Sequence, residues 1–372
     1  MSTDQQTTTT AEAFAERLFA STLGAFEILS VYLGDRLGWY RALAGAGPLT
    51  SAELAASTAT QERYAREWLE QQATSGLLVV APGDPTDGAP PGGPEGPHLR
   101  RFALPAAHAE VLTDEHSLSY VAPLSRFVAA AGPQLEHLLE SYRHGGGVSW
   151  EQLGEDAREA QAAVNRPWFE RELAPALAGV PQVHDVLSRP GARVLDVGCG
   201  LGWSTLALAQ AYPEASLHGV DVDTPSIAAA RTNARDAGLT DRVTFHQADA
   251  AESLGAEPFD AAFAFECVHD MPRPVEVLEG VRRAVRPDGV VVVMDEAVAD
   301  DLQAPGDDVE RVMYGYSILF CLPDGLSSSP SAGTGTVIRP PVLRRYALEA
   351  GFTGVEVLPI EDFAFFRFYR LT

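Results

Sequence analysis

Val194-Leu-Asp196-Val-Gly198-Cys-Gly200-Leu-Gly202 is the stretch on which the reading of this chain turns. It lies where a short apolar run, Arg193 to Val197, gives way to a helical pattern that continues through Tyr212. Glycines at such a junction let the backbone approach a ligand closely, and the helix that follows presents its amides. The third glycine comes two residues after the second, not three, which departs from the dinucleotide-binding fingerprint. Asp196 stands two residues before the first glycine. A carboxylate there repels a pyrophosphate and suits a ligand with a positive end, such as an ammonium or a sulfonium.

Working outward, strand-like runs recur at Leu217 to Asp221, Val243 to Gln247, Phe259 to Phe265 and Gly289 to Met294. Helical stretches from about Pro225 to Ala237 and from Pro274 to Val285 separate them. Strands alternating with helices predict a parallel sheet covered on both faces. The end differs: a helix at Pro341 to Ala350, then strands Val355 to Leu358 and Phe363 to Leu371, joined closely enough for an antiparallel hairpin. Asp221 closes the second strand, where a carboxylate can take both hydroxyls of a ribose. Asp249, after the third, can accept from an adenine amino group, while Val222 covers a ring face. Each Asp alone reads equally as a helix cap or turn residue. Together they predict one crevice at the carboxyl ends of the strands.

These residues, with Gly219-Val-Asp221 and Ala248-Asp-Ala250, resemble the class I S-adenosylmethionine-dependent methyltransferases over about residues 186–372. The resemblance implies a Rossmann-like α/β fold with a seven-stranded sheet and an antiparallel terminal hairpin. It implies S-adenosylmethionine as cofactor. Asp196, Gly198, Gly200 and Gly202 would hold the methionine part, Asp221 the ribose, and Asp249 with Ala250 the adenine. Glu266, at the end of the fourth strand, is counted with the cofactor residues.

Methyl transfer to a hydroxyl needs an in-line acceptor that sheds its proton. The fourth strand runs into Glu266-Cys-Val-His269-Asp270, and a histidine there is a candidate base. The His-Asp pair resembles that of many O-methyltransferases, although Met271-Pro272 stands in place of the usual Trp. The other reading has Asp270 capping the next helix and His269 structural. Glu296, past the fifth strand, is a candidate to orient His269 or touch substrate. Residues 310–325 suggest a helix with an apolar face, and Tyr314, Phe320 and Trp168 are candidate acceptor contacts; core packing is the alternative for each. Ser327 to Gly335 is a candidate lid.

The first half reads differently. Residues 1–10 are polar and expected to be disordered. A helical pattern covers about Ala11 to Ala42, with Gly34 a possible break. Thr50 and Glu53 make a capping-box signature. A helix to about Ala56, another from Gln61 to Thr74, a strand at Leu77 to Val80, a loop at Ala81 to Pro97 and a strand at Arg101 to Leu104 give the order of a winged helix-turn-helix. In a DNA-binding unit the second helix would read the major groove. It carries Glu62, Glu67 and Glu70 against Arg63 and Arg66, poor equipment for that. Mostly helical sequence follows, at Leu118 to Ala131, Pro133 to Tyr142 and Asp156 to Leu177. The expected domains are a winged-helix-like module over 1–110, a helical linker or lid over 111–185 and the methyltransferase domain over 186–372. Resemblance to two-domain small-molecule O-methyltransferases implies that the module builds a homodimer and part of the substrate pocket.

Composition bounds the rest. The 372 residues carry 51 acids against 27 bases, a formal charge of −24 that repels nucleic acid. There is no lysine, which excludes Schiff-base chemistry and a Walker phosphate loop. Three scattered cysteines make neither a disulfide framework nor a zinc pattern. The acidic pairs Asp300-Asp301 and Asp307-Asp308 read as solvated loop, so no metal is expected. No secretory signal and no apolar run of the ~18 residues needed to span a membrane is found, so a cytoplasmic location is expected. The reading is a methyltransferase acting on a small, apolar or aromatic acceptor at a hydroxyl. The alternatives are a cofactor-binding relative with a non-methylating activity, or a ligand-sensing DNA-binding regulator.

Overall fold

The computed structural model describes residues 10–81, 99–252, 254–255 and 257–372. The expected disorder at the N-terminus and nearly all of the Pro/Gly-rich loop lie outside these residues. The chain forms two compact units, Met1–Ala129 and Ala130–Thr372. The helices expected as a linker over 111–185 divide between them.

The first unit opens with α1 (Ala11–Arg36) and α2 (Trp39–Ala46). Gly34 does not break α1. It is where the rings of Trp68 and Tyr40 press on the helix, and a Cβ there would fall 2.4 Å from Trp68. The chain turns instead at Gly38, which takes the left-handed conformation (φ 72°). Then come α3 (Ser51–Thr58) and α4 (Glu62–Thr74). The Thr50 hydroxyl accepts from the Glu53 amide while the Glu53 carboxylate accepts from the Thr50 amide, completing the expected capping box. β1 (Val79–Val80) and β2 (Phe102–Ala103) pair antiparallel, and α5 (Ala106–Thr113) follows. Trp39, Tyr40 and Trp68 form the aromatic centre of this unit, with ring centroids 4.8 and 5.1 Å apart. α1 leaves Phe19, Leu23, Phe26, Leu33 and Leu37 exposed. Among the described residues it is also the one helix long and apolar enough, by length and composition, to cross a membrane. The expectation of no such segment is corrected on that point: charged residues keep α1 from being an unbroken apolar run, but an 18-residue window with no more than two of them reaches a mean hydropathy of 1.2.

The unit boundary falls inside α6 (Leu124–Ala131). In the second unit α7 (Leu135–His144) and α8 (Trp150–Trp168) are followed by a wider π-helical turn, Phe169–Leu173, then α9 (Ala174–Ala178) and α10 (Pro181–Leu187). The single helix expected over 156–177 is thus interrupted after Pro167, whose missing amide breaks the regular ladder.

The sheet alternates with helices: β3 (Arg193–Val197), α11 (Trp203–Ala211), β4 (Ser216–Asp221), α12 (Thr224–Asp236), β5 (Val243–Gln247), β6 (Phe259–Phe265), α13 (Pro274–Ala284) and β7 (Val285–Glu296). α14 (Asp308–Tyr316), a second π-turn at Ser317–Cys321, α15 (Leu322–Leu326), α16 (Pro340–Glu349), β8 (Val355–Val357) and β9 (Phe366–Leu371) complete it. Strand order is β5-β4-β3-β6-β7-β9-β8, parallel from β5 to β7, with β9 antiparallel to both of its neighbours. All seven residues of β6 are buried, as a central strand covered on both faces requires. The topology reverses between β3 and β6, so the crevice opens at their carboxyl ends. The terminal hairpin is as expected, but its connection runs from 358 to 365 and is longer than the four-residue turn read from sequence. Asp362 and Ala364 turn it in the left-handed region.

Candidate active site

The glycine turn is shaped by what surrounds it. Gly198, Gly200 and Gly202 all have positive φ, at 68°, 50° and 84°. A Cβ on Gly198 would fall 2.8 Å from Cys267, and one on Gly202 2.6 Å from the Phe245 ring. Asp196 ends β3 at 1% exposure. Its Oδ2 accepts from Ser204 Oγ (2.6 Å) and Thr205 Oγ1 (2.5 Å), while its Oδ1 has no partner. Burial pushes this carboxyl up to about 6. A buried, unpaired acceptor beside a glycine cradle fits an ammonium or sulfonium.

Asp221 ends β4 and braces the turn: Oδ2 accepts from the Gly200 amide (2.8 Å) and Oδ1 from the Asp223 amide (2.9 Å). Each oxygen keeps a lone pair for a ribose hydroxyl. Val222, next to Asp221, stands 65% exposed, an open apolar face. Asp249, past β5, accepts from the Ala251 amide (2.8 Å) and forms an ion pair with Arg273. Ala250 is buried beneath, against Gly280. The donor set therefore fits a sulfonium nucleoside, with Asp249 sharing its charge with Arg273, a partner the sequence did not disclose.

α8 crosses above this edge. Arg158 makes a bidentate pair with Asp223 (2.8 and 3.0 Å). Further along, Asn165 donates to Glu266 Oε2, and Gln161 also bonds Glu266. Glu266 holds φ 53°, a strained conformation for a non-glycine residue at the end of β6. Burial pushes its carboxyl up to about 7, against the lowering by Gln161 and Asn165.

His269 is 3% exposed and ringed by acids. Its Nδ1 is 2.7 Å from Asp295 Oδ1 and 3.3 Å from Glu296 Oε2; its Nε2 is 3.2 Å from Asp270 Oδ1. Asp295, not Glu296, thus holds the ring. Sequence reading named only Glu296, because the end of β7 was placed two residues early; both side chains reach the same Nδ1. Burial alone would lower the imidazole, but Asp270, Glu296 and Asp295 outweigh it and raise it well above its usual value. Burial raises Glu296, and the nearby Asp295 charge raises it further. Asp295 Oδ2, Glu296 Oε2 and Asp270 Oδ1 lack hydrogen-bond partners.

The expectation that no metal-ligating set converges near this point is corrected. His269, Asp270 and Cys321 form one such group, and His269, Asp295 and Glu296 another. Their members come from three separated stretches, which spacing could not join. Of the candidate acceptor contacts, Trp168 packs on Phe363 (centroids 5.5 Å) and Tyr314 accepts from Arg339 (3.3 Å). Phe320 is buried with Tyr316 beside it (6.2 Å). Tyr316, which sequence did not single out, is raised by burial and by the charges of Glu266 and Cys321. The expected lid is tied down instead: Ala332 donates to the Pro272 carbonyl (2.8 Å) and Gly335 to that of His269 (3.2 Å).

Comparison with known proteins agrees with this geometry. Residues 188–317 match a family described as methyltransferase domain, and residues 25–86 one described as Rv2258c-like winged HTH domain. The methyltransferase GfsG of Streptomyces halstedii is 37% identical over 131 residues, 35% of this chain and 45% of that protein. The 27-O-demethylrifamycin SV methyltransferase of Amycolatopsis mediterranei is 32% identical over 125 residues, 33% of this chain and 46% of that protein. The chain thus spans about half the length of the curated relatives it matches. Among solved structures, the mitomycin 7-O-methyltransferase MmcR superposes with a TM-score of 0.69 at 21% identity, covering 97% of this chain and 98% of that one. Human N-acetylserotonin methyltransferase in complex with SAM gives 0.64 at 18%, covering 100% and 98%. Those likenesses are of fold. Residues 188–317 of this chain match a methyltransferase domain and lie within the seven-stranded α/β methyltransferase fold, preceded in sequence by a match to an Rv2258c-like winged helix-turn-helix domain.

Proposed function

We propose that the protein transfers the methyl group of S-adenosylmethionine to a hydroxyl of a small, apolar or aromatic acceptor. One observation supports this above the rest: carboxylates at the ends of β3, β4 and β5 surround a glycine turn in which Gly198 and Gly202 have no room for a side chain, and the innermost, Asp196, keeps a buried oxygen unpaired. Asp196 with Gly198, Gly200 and Gly202 holds the methionine part, Asp221 the ribose, and Val222, Asp249 and Ala250 the adenine. When bound, the cofactor supplies the electrophilic methyl group. Glu266, clamped from α8, borders the cofactor's reactive end. The His269 cluster acts on the acceptor's proton, with Asp295 fixing the ring and Glu296 behind it. Phe320, beside Tyr316, walls the acceptor; Trp168 and Tyr314 serve as outer supports.

The exposed stripe on α1 supports a homodimer. Phe19, Leu23, Phe26, Leu29, Leu33 and Leu37 recur at spacings of three and four, the seam by which two helices pack. A cytoplasmic location is part of the same reading. Neither alternative activity is favoured.

The test is calorimetric titration with S-adenosylmethionine and S-adenosylhomocysteine, with NADH as control. Micromolar binding of the first two alone is expected. Absence of binding to either would remove the basis of the reading.

A further inference from the structure

We infer that the outer face of His269 is a divalent-cation site, formed by His269 Nε2, a carboxylate oxygen of Asp270 and the Cys321 thiolate, with the ligand preference of zinc. The three ligand atoms lie within 4.8 Å of one another. Nε2 and Asp270 Oδ1 are 3.2 Å apart. A tetrahedral zinc, with bonds of about 2.0–2.1 Å to nitrogen and oxygen, sets two such ligands roughly 3.3 Å apart. Asp270 Oδ1 has no hydrogen-bond partner although the atom is buried. Three carboxyl groups stand around a single imidazole here, an acidic setting that favours a cation.

Two further features point to a ligand. The Nδ1 of His269 bonds Asp295 Oδ1 at 2.7 Å, leaving Nε2 outward. Metal-binding histidines almost always spend their other nitrogen on such a partner, which fixes the ring. Thr336, 2% exposed, sets its hydroxyl against the Cys321 thiol. It is placed to bind the cation or a water on it. Cys321 reaches the group because the helix after α14 widens into a π-turn at Ser317–Cys321, a distortion frequent at functional sites. The other two thiols face elsewhere, Cys199 toward the Gly200 carbonyl and Cys267 toward that of Val197. Three protein ligands leave a fourth position for an oxygen. The role of that position rests on the proposed reading of the crevice: the cation, held by the His269 cluster, would bind the acceptor's oxygen and ease the loss of its proton. Cation binding itself does not depend on that reading.

The experiment uses the full chain, stripped with a chelator, dialysed and titrated with Co²⁺ and then Zn²⁺. We expect one equivalent of Co²⁺ with a thiolate-to-cobalt charge-transfer band, displaced by Zn²⁺. Cys321→Ser should abolish the band, and Asp295→Asn should weaken affinity about 10–100-fold. No band in the unaltered protein, or a band that survives in Cys321→Ser, overturns the site. Should Cys321→Ser fail to fold, Asp270→Asn takes its place, and unchanged Co²⁺ affinity there overturns it equally. S-adenosylhomocysteine titrated into the same samples separates the two ideas. Cobalt bound without S-adenosylhomocysteine leaves the cation site standing and sinks the methyltransferase reading; the reverse sinks the cation site alone.

Discussion

Asp196 shows how a single residue couples charge to ligand. Its carboxyl titrates near 6 because burial disfavours the anion more than Ser204 and Thr205 favour it. A cationic ligand needs the anion, so affinity for S-adenosylmethionine should fall as pH drops through about 6, with proton uptake by the free protein. For stability the sign reverses. The folded carboxyl holds a proton between the ordinary value of 3.8 and about 6 that the unfolded chain has released, so its contribution falls as pH rises through that window. Calorimetry at pH 5.5 and 7.5 would show it; equal affinities would refute it. At the other end of the crevice Asp295→Asn keeps size but loses the charge that fixes His269. Turnover should drop about a hundredfold or more while cofactor affinity stays unchanged. A merely structural Asp295 would lower thermal stability and leave the remaining activity's kcat intact.

At the scale of elements, the junction of β3 and α11 is the tightest. Gly198→Ala would place a methyl group against Cys267 at a positive φ, a strain of about 1–3 kcal/mol. The turn should relax by shifting the Gly200 amide off Asp221, so cofactor binding should be lost in a protein that still melts cooperatively. Retained binding would mean that the turn is looser than its contacts imply. The capping box of α3 offers a smaller test in the other unit. Thr50→Ala removes one of its two reciprocal bonds and should cost about 1 kcal/mol. Denaturant unfolding measures it, and cofactor affinity should not move.

For the whole molecule, α1 is the element without enough cover. Phe19 and Phe26 are 65% and 64% exposed on one stripe. Light scattering on a sizing column should find a dimer, and Phe19→Glu with Phe26→Glu should return a monomer. A monomeric unaltered protein would leave the stripe to another partner.

What the sequence determined by itself was the part written in short-range grammar. Glycines at a strand-to-helix junction, a threonine three residues before a glutamate and apolar runs of strand length each act locally, so β3 to β7, the capping box of α3 and the carboxylates Asp196, Asp221 and Asp249 were legible one after another. Gly34 was misread for the same reason: seen locally a glycine breaks a helix, but here Trp68 and Tyr40 require its missing side chain. The tertiary structure alone decided what meets across distance. Asp295 rather than Glu296 grips His269, Arg273 shares Asp249, Asn165 and Gln161 clamp Glu266, and Cys321 arrives beside His269 and Asp270. None of these pairs leaves a spacing signature. Each depends on where a strand ends, on the strand order that seats β6 between β3 and β7, and on a helix that widens at Ser317–Cys321. Those contacts exist only once the elements that carry them have packed.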